Sequence, residues 1–336
     1  MDIKINGSRF KNLLSYDWIK IIISIVAGII VWSLLFSMLG TRLTTGQEFV
    51  FHVYENVYTV GSSNKNAEML VDAKRKNLIS YDVLKFSVNP ITAGGQYSAS
   101  YMLSLKMSTQ EGDVMIISDG RAETEDKNKK SDLTKIVNNR YLCDMDTLLK
   151  SAREYCVNNG FVIENGSAWH VNEQKIEEYF LNTRIKGKGN GNYRKTYRTA
   201  QQKKEGVKLE IARIKKLYEN YLYVSAAIQA GKDAGTDFLW YGDLYKYDEN
   251  NNIIEDKTET RPYGIDLYKL NQPFLGQEGV PNVEDTWFTY ANGKPTAEGL
   301  VICVFDFRGY QVDLQYETLG FLRYIIQTYG RYEVNV

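Results

Sequence analysis

The two histidines of this chain, His52 and His170, stand more than a hundred residues apart. The sequence contains no Gly-x-Ser-x-Gly, His-Glu-x-x-His or Cys-x-x-Cys. Catalysis needs acids, bases and nucleophiles that converge, so no catalytic residue is assigned and no enzyme is expected. Asp144-Met145-Asp146 has the look of a metal-binding pair, but a helical pattern begins there and an aspartate at that point reads as its cap. The acids of residues 248–255 suggest a calcium loop, yet Ile253 occupies the sixth position, where a turn-forming glycine is required. The stretch GKGNGNYRKT, residues 187–196, invites a phosphate-loop reading. Arg194 stands where that loop places glycine before Lys-Ser/Thr, so a flexible loop is expected. Cys143, Cys156 and Cys303 are too few and too irregular for a zinc site or disulfide framework; a 143–156 bridge is conceivable, three buried thiols fit better. Neither metal nor cofactor is expected.

Binding chemistry is better represented. Lys plus Arg equals Asp plus Glu at 41 each, but between Arg184 and Lys216 there are twelve basic residues against Glu205 and Glu210. Arg184, Lys186, Lys188, Arg194, Lys195, Arg198, Lys203 and Lys204 are therefore candidates for an electrostatic contact surface. Such a run is either a solvated helix face or a dock for anionic lipid head groups, teichoic polymers or an acidic partner. Nucleic acid is not expected, because the compartment derived below is wrong for it. Trp240, Tyr241 and Tyr263, with Trp169 and Trp287, are rings on which a sugar could stack. Asp119 follows the apolar run Val114–Ile117, at a strand end where open α/β sheets hold ligands. Gly94 and Gly95 could expose the first amides of a helix to an anion.

The elements that position these residues begin with an apolar run. Ile21–Leu39 carries no charge, Pro, Asn or Gln. As helix it would span ~28 Å, close to the ~30 Å hydrocarbon core of a bilayer. Lys4, Arg9, Lys11 and Lys20 precede it and Arg42 alone follows closely, which places residues 1–17 in the cytoplasm and the bulk of the chain outside. A cleaved signal peptide would have a shorter apolar core and small residues at its exit, whereas Phe36, Met38 and Leu39 crowd this one. A retained single-pass anchor at residues 18–40 of a plasma membrane is expected, with no lipobox cysteine after it.

Beyond a short linker, Phe49, Phe51 and Val53 alternate as in a strand; residues 65–78 read as an amphipathic helix, and 83–88 as a strand ended by Pro90. A helix across Tyr97, Tyr101 and Leu105 leads to the wholly apolar Val114–Ile117, the pattern of a strand buried on both faces. Residues 120–135 read as loop, 146–158 and 173–182 as helices, and 160–169 as irregular. Val207, Ile211, Ile214, Tyr218, Tyr221, Ser225 and Ile228 recur at helical spacing, and Gly231 is expected to stop that helix. Residues 237–247 read as extended, 248–254 as a hairpin tip, 300–307 as a late buried strand and 315–329 as a closing helix. Strands alternating with helices argue for an α/β fold.

Tyr97–Asp119 (YSASYMLSLKMSTQEGDVMIISD) resembles a region of the type II periplasmic-binding fold of extracytoplasmic solute-binding proteins. Tyr247–Leu270, with its YGID string, resembles membrane-anchored relatives of those proteins in low-GC Gram-positive bacteria. The resemblance implies an N-terminal transmembrane helix and a two-lobed ectodomain: 47–122 and 262–336 as one lobe, 123–261 as the other. The basic helical segment 184–230 has no match in that family and reads as an insertion. It implies a small solute, such as a sugar, between the lobes, presented to a permease, transporter or sensor. The alternative expectation is a structural or assembly component of the cell envelope whose cleft is vestigial.

Overall fold

The computed structural model describes residues 18–20, 22–33, 47–61, 64–94, 97–121, 131–187, 191–246, 258–306, 316–332 and 334. The chain divides into two compact units, Met1–Leu43 and Thr44–Val336. In the first, residues 22–33 form helix α1, with apolar side chains exposed from Val26 at 48% to Trp32 at 64%. Among the described residues no helix is long and apolar enough to cross a membrane. Residue 21, residues 34–40 of the expected span and the tail 1–17 lie outside the described residues.

The second unit is mixed α/β. It opens with β1 (Glu48–Tyr54), β2 (Tyr58–Thr59), α2 (Asn64–Arg75), β3 (Lys85–Ile91), α3 (Ala99–Ser108) and β4 (Val114–Ser118). There follow α4 (Asp132–Asn138), β5 (Leu142–Cys143), α5 (Met145–Asn158), β6 (Val162–Asn165), β7 (Ala168–Val171), α6 (Glu173–Tyr179), α7 (Gly191–Thr196) and α8 (Ala200–Asp233). The chain closes with β8 (Leu239–Leu244), β9 (Glu259–Asp266), α9 (Leu267–Asn271), β10 (Trp287–Ala291), β11 (Lys294–Thr296), β12 (Leu300–Phe305) and α10 (Thr318–Ile325).

One sheet organises these elements, in the order β3-β1-β4-β12-β9-β8, with β5 also paired to β12. β3 and β4 run parallel to β1, and α2 and α3 supply the crossovers that parallel neighbours require. β12 is antiparallel to both β4 and β9. Because side chains alternate along a strand, β4 and β12 feed two cores. Val114, Ile116, Ile302 and Val304 face the larger, built with Phe49, Phe51, α5, α8 and α10. Met115, Ile117, Val301, Cys303 and Phe305 face the smaller, closed by α3 and α4. Both strands are buried throughout, as their unbroken apolar runs predict.

Several expectations need correction. Pro90 does not end β3, which runs to Ile91; β3 lies at the sheet edge, where a missing N–H costs no ladder bond. Part of the expected loop 120–135 is α4, capped by Ser131, whose Oγ accepts from Thr134 N at 3.3 Å. Residues 160–169 are not irregular, since β6 and β7 pair there as a hairpin. Gly231 does not stop α8, which continues to Asp233; a Cβ on Gly231 would lie 2.8 Å from the Phe238 ring, so the glycine permits packing. The hairpin tip at 248–254 lies outside the described residues. β5 and β8, from the segment 123–261, hydrogen-bond into the same sheet as strands of 47–122 and 262–336. Thr44–Val336 clusters as one unit.

Candidate functional site

In the order β3-β1-β4 the chain leaves β1 for β3 on one side and then crosses back to β4 on the other, so the carboxyl ends of β1 and β4 flank the topological switch point. The protein's own groups bridge it. Asn56 Oδ1 accepts from Ser118 N at 3.1 Å, and Asn56 Nδ2 donates to Ser118 O at 3.4 Å. Three predicted ligand residues gather alongside. Asp119, just past β4, accepts from the indole Nε1 of Trp240 at 3.0 Å. Trp240 and Tyr263 crowd Gly242, where a Cβ would lie 2.8 Å from one ring and 3.0 Å from the other.

Arg121 completes the corner. Its backbone N donates to Asp119 Oδ1 at 3.0 Å, its Nε to Asp119 Oδ2, and its Nη2 to Asp266 Oδ2 at 2.6 Å. Asp266 also caps α9, accepting from Lys269 N at 3.1 Å. Burial pushes the Asp119 carboxyl above its ordinary range, against the pull of its bonds to Arg121. Asp119 and Trp240 are thus satisfied by each other and by Arg121, and the corner ties the ends of β4, β8 and β9 together. Trp240→Phe, which keeps an aromatic ring but deletes the indole donor and some buried volume, should lower stability by about 1–3 kcal/mol, because a buried acceptor loses a partner. A urea midpoint equal to that of the wild type would show that the bond contributes nothing.

The remaining ligand candidates do not join this cluster. Tyr241 is exposed and donates its hydroxyl to Asp237 Oδ2 at 2.7 Å. Gly94 is exposed and bridges to Tyr97, while α3 starts only at Ala99 and is capped by Ser98, so Gly94 offers no helix terminus; Gly95 lies outside the described residues. Trp287 is fully buried. Asp144 caps α5, its Oδ1 accepting from Thr147 N at 2.8 Å. All three cysteines are buried thiols, and burial pushes Cys156 up to about 12. His52 is a core residue, with ring nitrogens 3.3 Å from Asn89 O and 3.1 Å from Glu111 O. Among the described residues no group of three or more His, Cys, Asp or Glu could hold a metal.

The basic run divides into a buried and an exposed part. Arg184 is only 4% exposed and pairs with Asp82 and Glu210, so it leaves the proposed surface. Lys186 donates to Asn182 Oδ1 at 2.8 Å, Arg194 reaches Gly187 O at 3.5 Å, and Lys188 lies outside the described residues. Lys195, Arg198, Lys203 and Lys204 make no ion pair among the described residues, nor do Lys208 and Lys215. Thr199 starts α8 with a full capping box, Gln202 answering it, which fixes where this face begins. At helical pitch Lys204, Lys208 and Lys215 then fall on one stripe, which continues to Leu222 and Ala226.

Where the stripe reaches Leu222 the β6–β7 hairpin lies against α8 and leaves a groove of about 390 Å³. Trp169, Tyr218, Tyr221 and Leu222 form its apolar lining, with Arg153 and Glu164 as its charged groups. The Trp169 and Tyr218 rings are 4.9 Å apart and inclined at 58°. Glu164 Oε1 accepts from Arg153 Nε at 2.9 Å and also from the Tyr218 hydroxyl. The Arg153 hydrogen bond holds the Glu164 carboxyl below its usual range, with the Tyr218 bond adding to it. Sequence reading singled out Trp169 but missed Arg153 and Glu164. The available signal was Gly166-Ser167, a two-residue hairpin turn, with Gly166 at φ 65°. No protein-family model, curated protein or solved structure matches the chain.

Proposed function

We propose that this chain is a membrane-tethered extracytoplasmic protein that acts by non-covalent contact with an anionic component of the cell envelope, through the exposed face of α8. The observation that carries the reading is the row of exposed basic side chains at Lys204, Lys208 and Lys215, without ion-pair partners among the described residues and flanked by Lys195, Arg198 and Lys203. Each lysine near an anionic surface contributes about 1 kcal/mol at low salt. The tether is the apolar run at 18–40, with residues 1–17 inside; the exposed apolar side chains of α1 support it. The filled corner around Asp119 and Trp240 favours contact by surface over capture in a cleft.

The test uses the full chain in neutral-lipid nanodiscs and follows its binding to immobilised anionic polymer. Changing Lys204, Lys208 and Lys215 together to Gln should weaken binding by about two orders of magnitude at ~50 mM salt, from three contributions of about 1 kcal/mol. Variant and wild type should converge at ~0.5 M salt as screening shortens the reach of each charge. Binding that ignores both salt and the lysines would remove the reading.

A second reading, favoured by the parallel order β3-β1-β4 with antiparallel β12 beside it, is a solute-binding-like protein that presents a small ligand to a transporter or sensor. The ligand would enter at the carboxyl ends of β1 and β4 after the Asp119–Trp240 contact opens. A screen of sugars, peptides and anions tests it, since a specific ligand at ~100 times its Kd stabilises the fold by ~2.7 kcal/mol.

A further inference from the structure

We infer that the anionic component is an acidic polysaccharide, held with one sugar ring in the groove between the β6–β7 hairpin and α8 and with its acidic groups along Lys204, Lys208 and Lys215. The inference rests on the reading of α8 as a contact face and adds what that face selects. At ~1.5 Å per residue, Lys215 lies ~10 Å along the helix from Leu222, and Lys204 a further ~16 Å beyond Lys215. Lysines and groove therefore form one track, suited to an extended chain carrying repeated charge.

The groove supplies what lysines alone do not. Its volume of about 390 Å³ falls in the range of small-ligand pockets, which combine aromatic walls with a few polar groups. Trp169 and Tyr218 meet at 58° and form a wedge, not a parallel slot, so they suit the puckered C–H face of a sugar better than a flat ring. Glu164 and Arg153 place an acceptor and a donor at the same spot, fixed against each other at 2.9 Å. Paired carboxylate and guanidinium match hydroxyl groups, which both donate and accept. Their charges cancel locally, so the acidic groups of the polymer are drawn to the lysines and a hydroxyl-bearing ring to the groove. An acidic polypeptide would use the lysines and leave the groove without a role. A lipid surface would not reach into a recess beneath a hairpin.

The full chain in phosphatidylcholine nanodiscs is titrated with polygalacturonate, with polyaspartate of equal charge, with neutral dextran and with phosphatidylglycerol vesicles. Polygalacturonate is expected to bind at least tenfold tighter than polyaspartate, and dextran not to compete. Trp169→Ala should lose that tenfold preference and leave polyaspartate binding unchanged. Ala226→Phe, which fills the groove without removing the indole, should do the same, so a poorly folded Trp169 variant does not end the test. If polyaspartate or vesicles bind as tightly as polygalacturonate, and the groove variants change nothing, the face is a general anionic dock: the polysaccharide inference falls and the proposed function stands. If the triple lysine variant also binds every anion like the wild type, both fall.

Discussion

Arg213→Met should lower the free energy of unfolding by about 3–5 kcal/mol at pH 7.5, the usual consequence of taking one partner from a buried ion cluster. Arg213 is 2% exposed on the inner face of α8. Its guanidinium reaches Glu210 at 2.9 and 3.1 Å, Glu317 at 3.4 Å and Asp82 at 4.0 Å. Arg184 pairs with Asp82 and Glu210 from the other side, and Tyr81 donates to Glu210 Oε2 at 3.1 Å. Methionine fills similar space but leaves three buried carboxylates, of which Arg184 pairs with only Asp82 and Glu210. The penalty should depend on pH in a stated direction. Burial raises both Asp82 and Glu317 above their ordinary values, although the arginines oppose it. A carboxyl whose folded pKa is raised binds its proton more tightly in the folded state, so its contribution to stability is full below the unfolded value and is lost as pH rises through the folded one. Without Arg213 both should rise further, so the deficit of the variant should be largest at pH 7–8 and shrink toward pH 5. Urea unfolding followed by tryptophan fluorescence measures it; a deficit that is constant across that range would mean the loss is packing, not charge.

This cluster also marks the limit of what the sequence discloses. Arg184 sits in a basic run and carries no local sign of burial. Its partner Asp82 lies 102 positions away, and Glu317 lies 104 positions from Arg213. Charge counting alone therefore places a buried structural cation among the exposed ones, because nothing local separates Arg184 from lysines that have no distant partner. β4 and β12 were legible because burial on both faces leaves an unbroken apolar run. α8 was legible because its buried side repeats at helical spacing over many turns. Asp119 and Trp240 each stand out in the sequence for a physical reason, a strand end and a ring on which a sugar could stack. That they are 121 positions apart and hydrogen-bonded to each other is tertiary information, and it turns two ligand candidates into a closed corner. The groove was hidden because a strong two-residue turn, Gly166-Ser167, joins strands of only four residues each, too short for alternation to stand out.

The second large effect concerns Gly320, and its sign runs against helix propensity. Alanine in place of glycine within a helix normally stabilises by about 1 kcal/mol. Gly320 lies in the first turn of α10, where a Cβ would overlap the carbonyl of Leu78, with the Leu78 carbonyl carbon 2.7 Å away and Asn220 Nδ2 3.1 Å away. That carbonyl has little freedom to retreat. It accepts from Asn220 Nδ2 at 2.8 Å, and Leu78 N donates to Ala73 O at 3.0 Å. Leu78 and Asn220 are both buried, so the end of α2, the inner face of α8 and the start of α10 meet at one point set by the missing side chain. Gly320→Ala must push α10 off this junction, and overpacking of a filled core costs about 1–3 kcal/mol, more where backbone is the obstacle. The expected result is a loss of at least ~2 kcal/mol in urea. Adding Asn220→Ala should not restore it, because the obstacle is the Leu78 carbonyl and not the amide beyond it. A midpoint equal to or above that of the wild type would mean that α10 stands clear of Leu78, and recovery in the double variant would place the clash on Asn220.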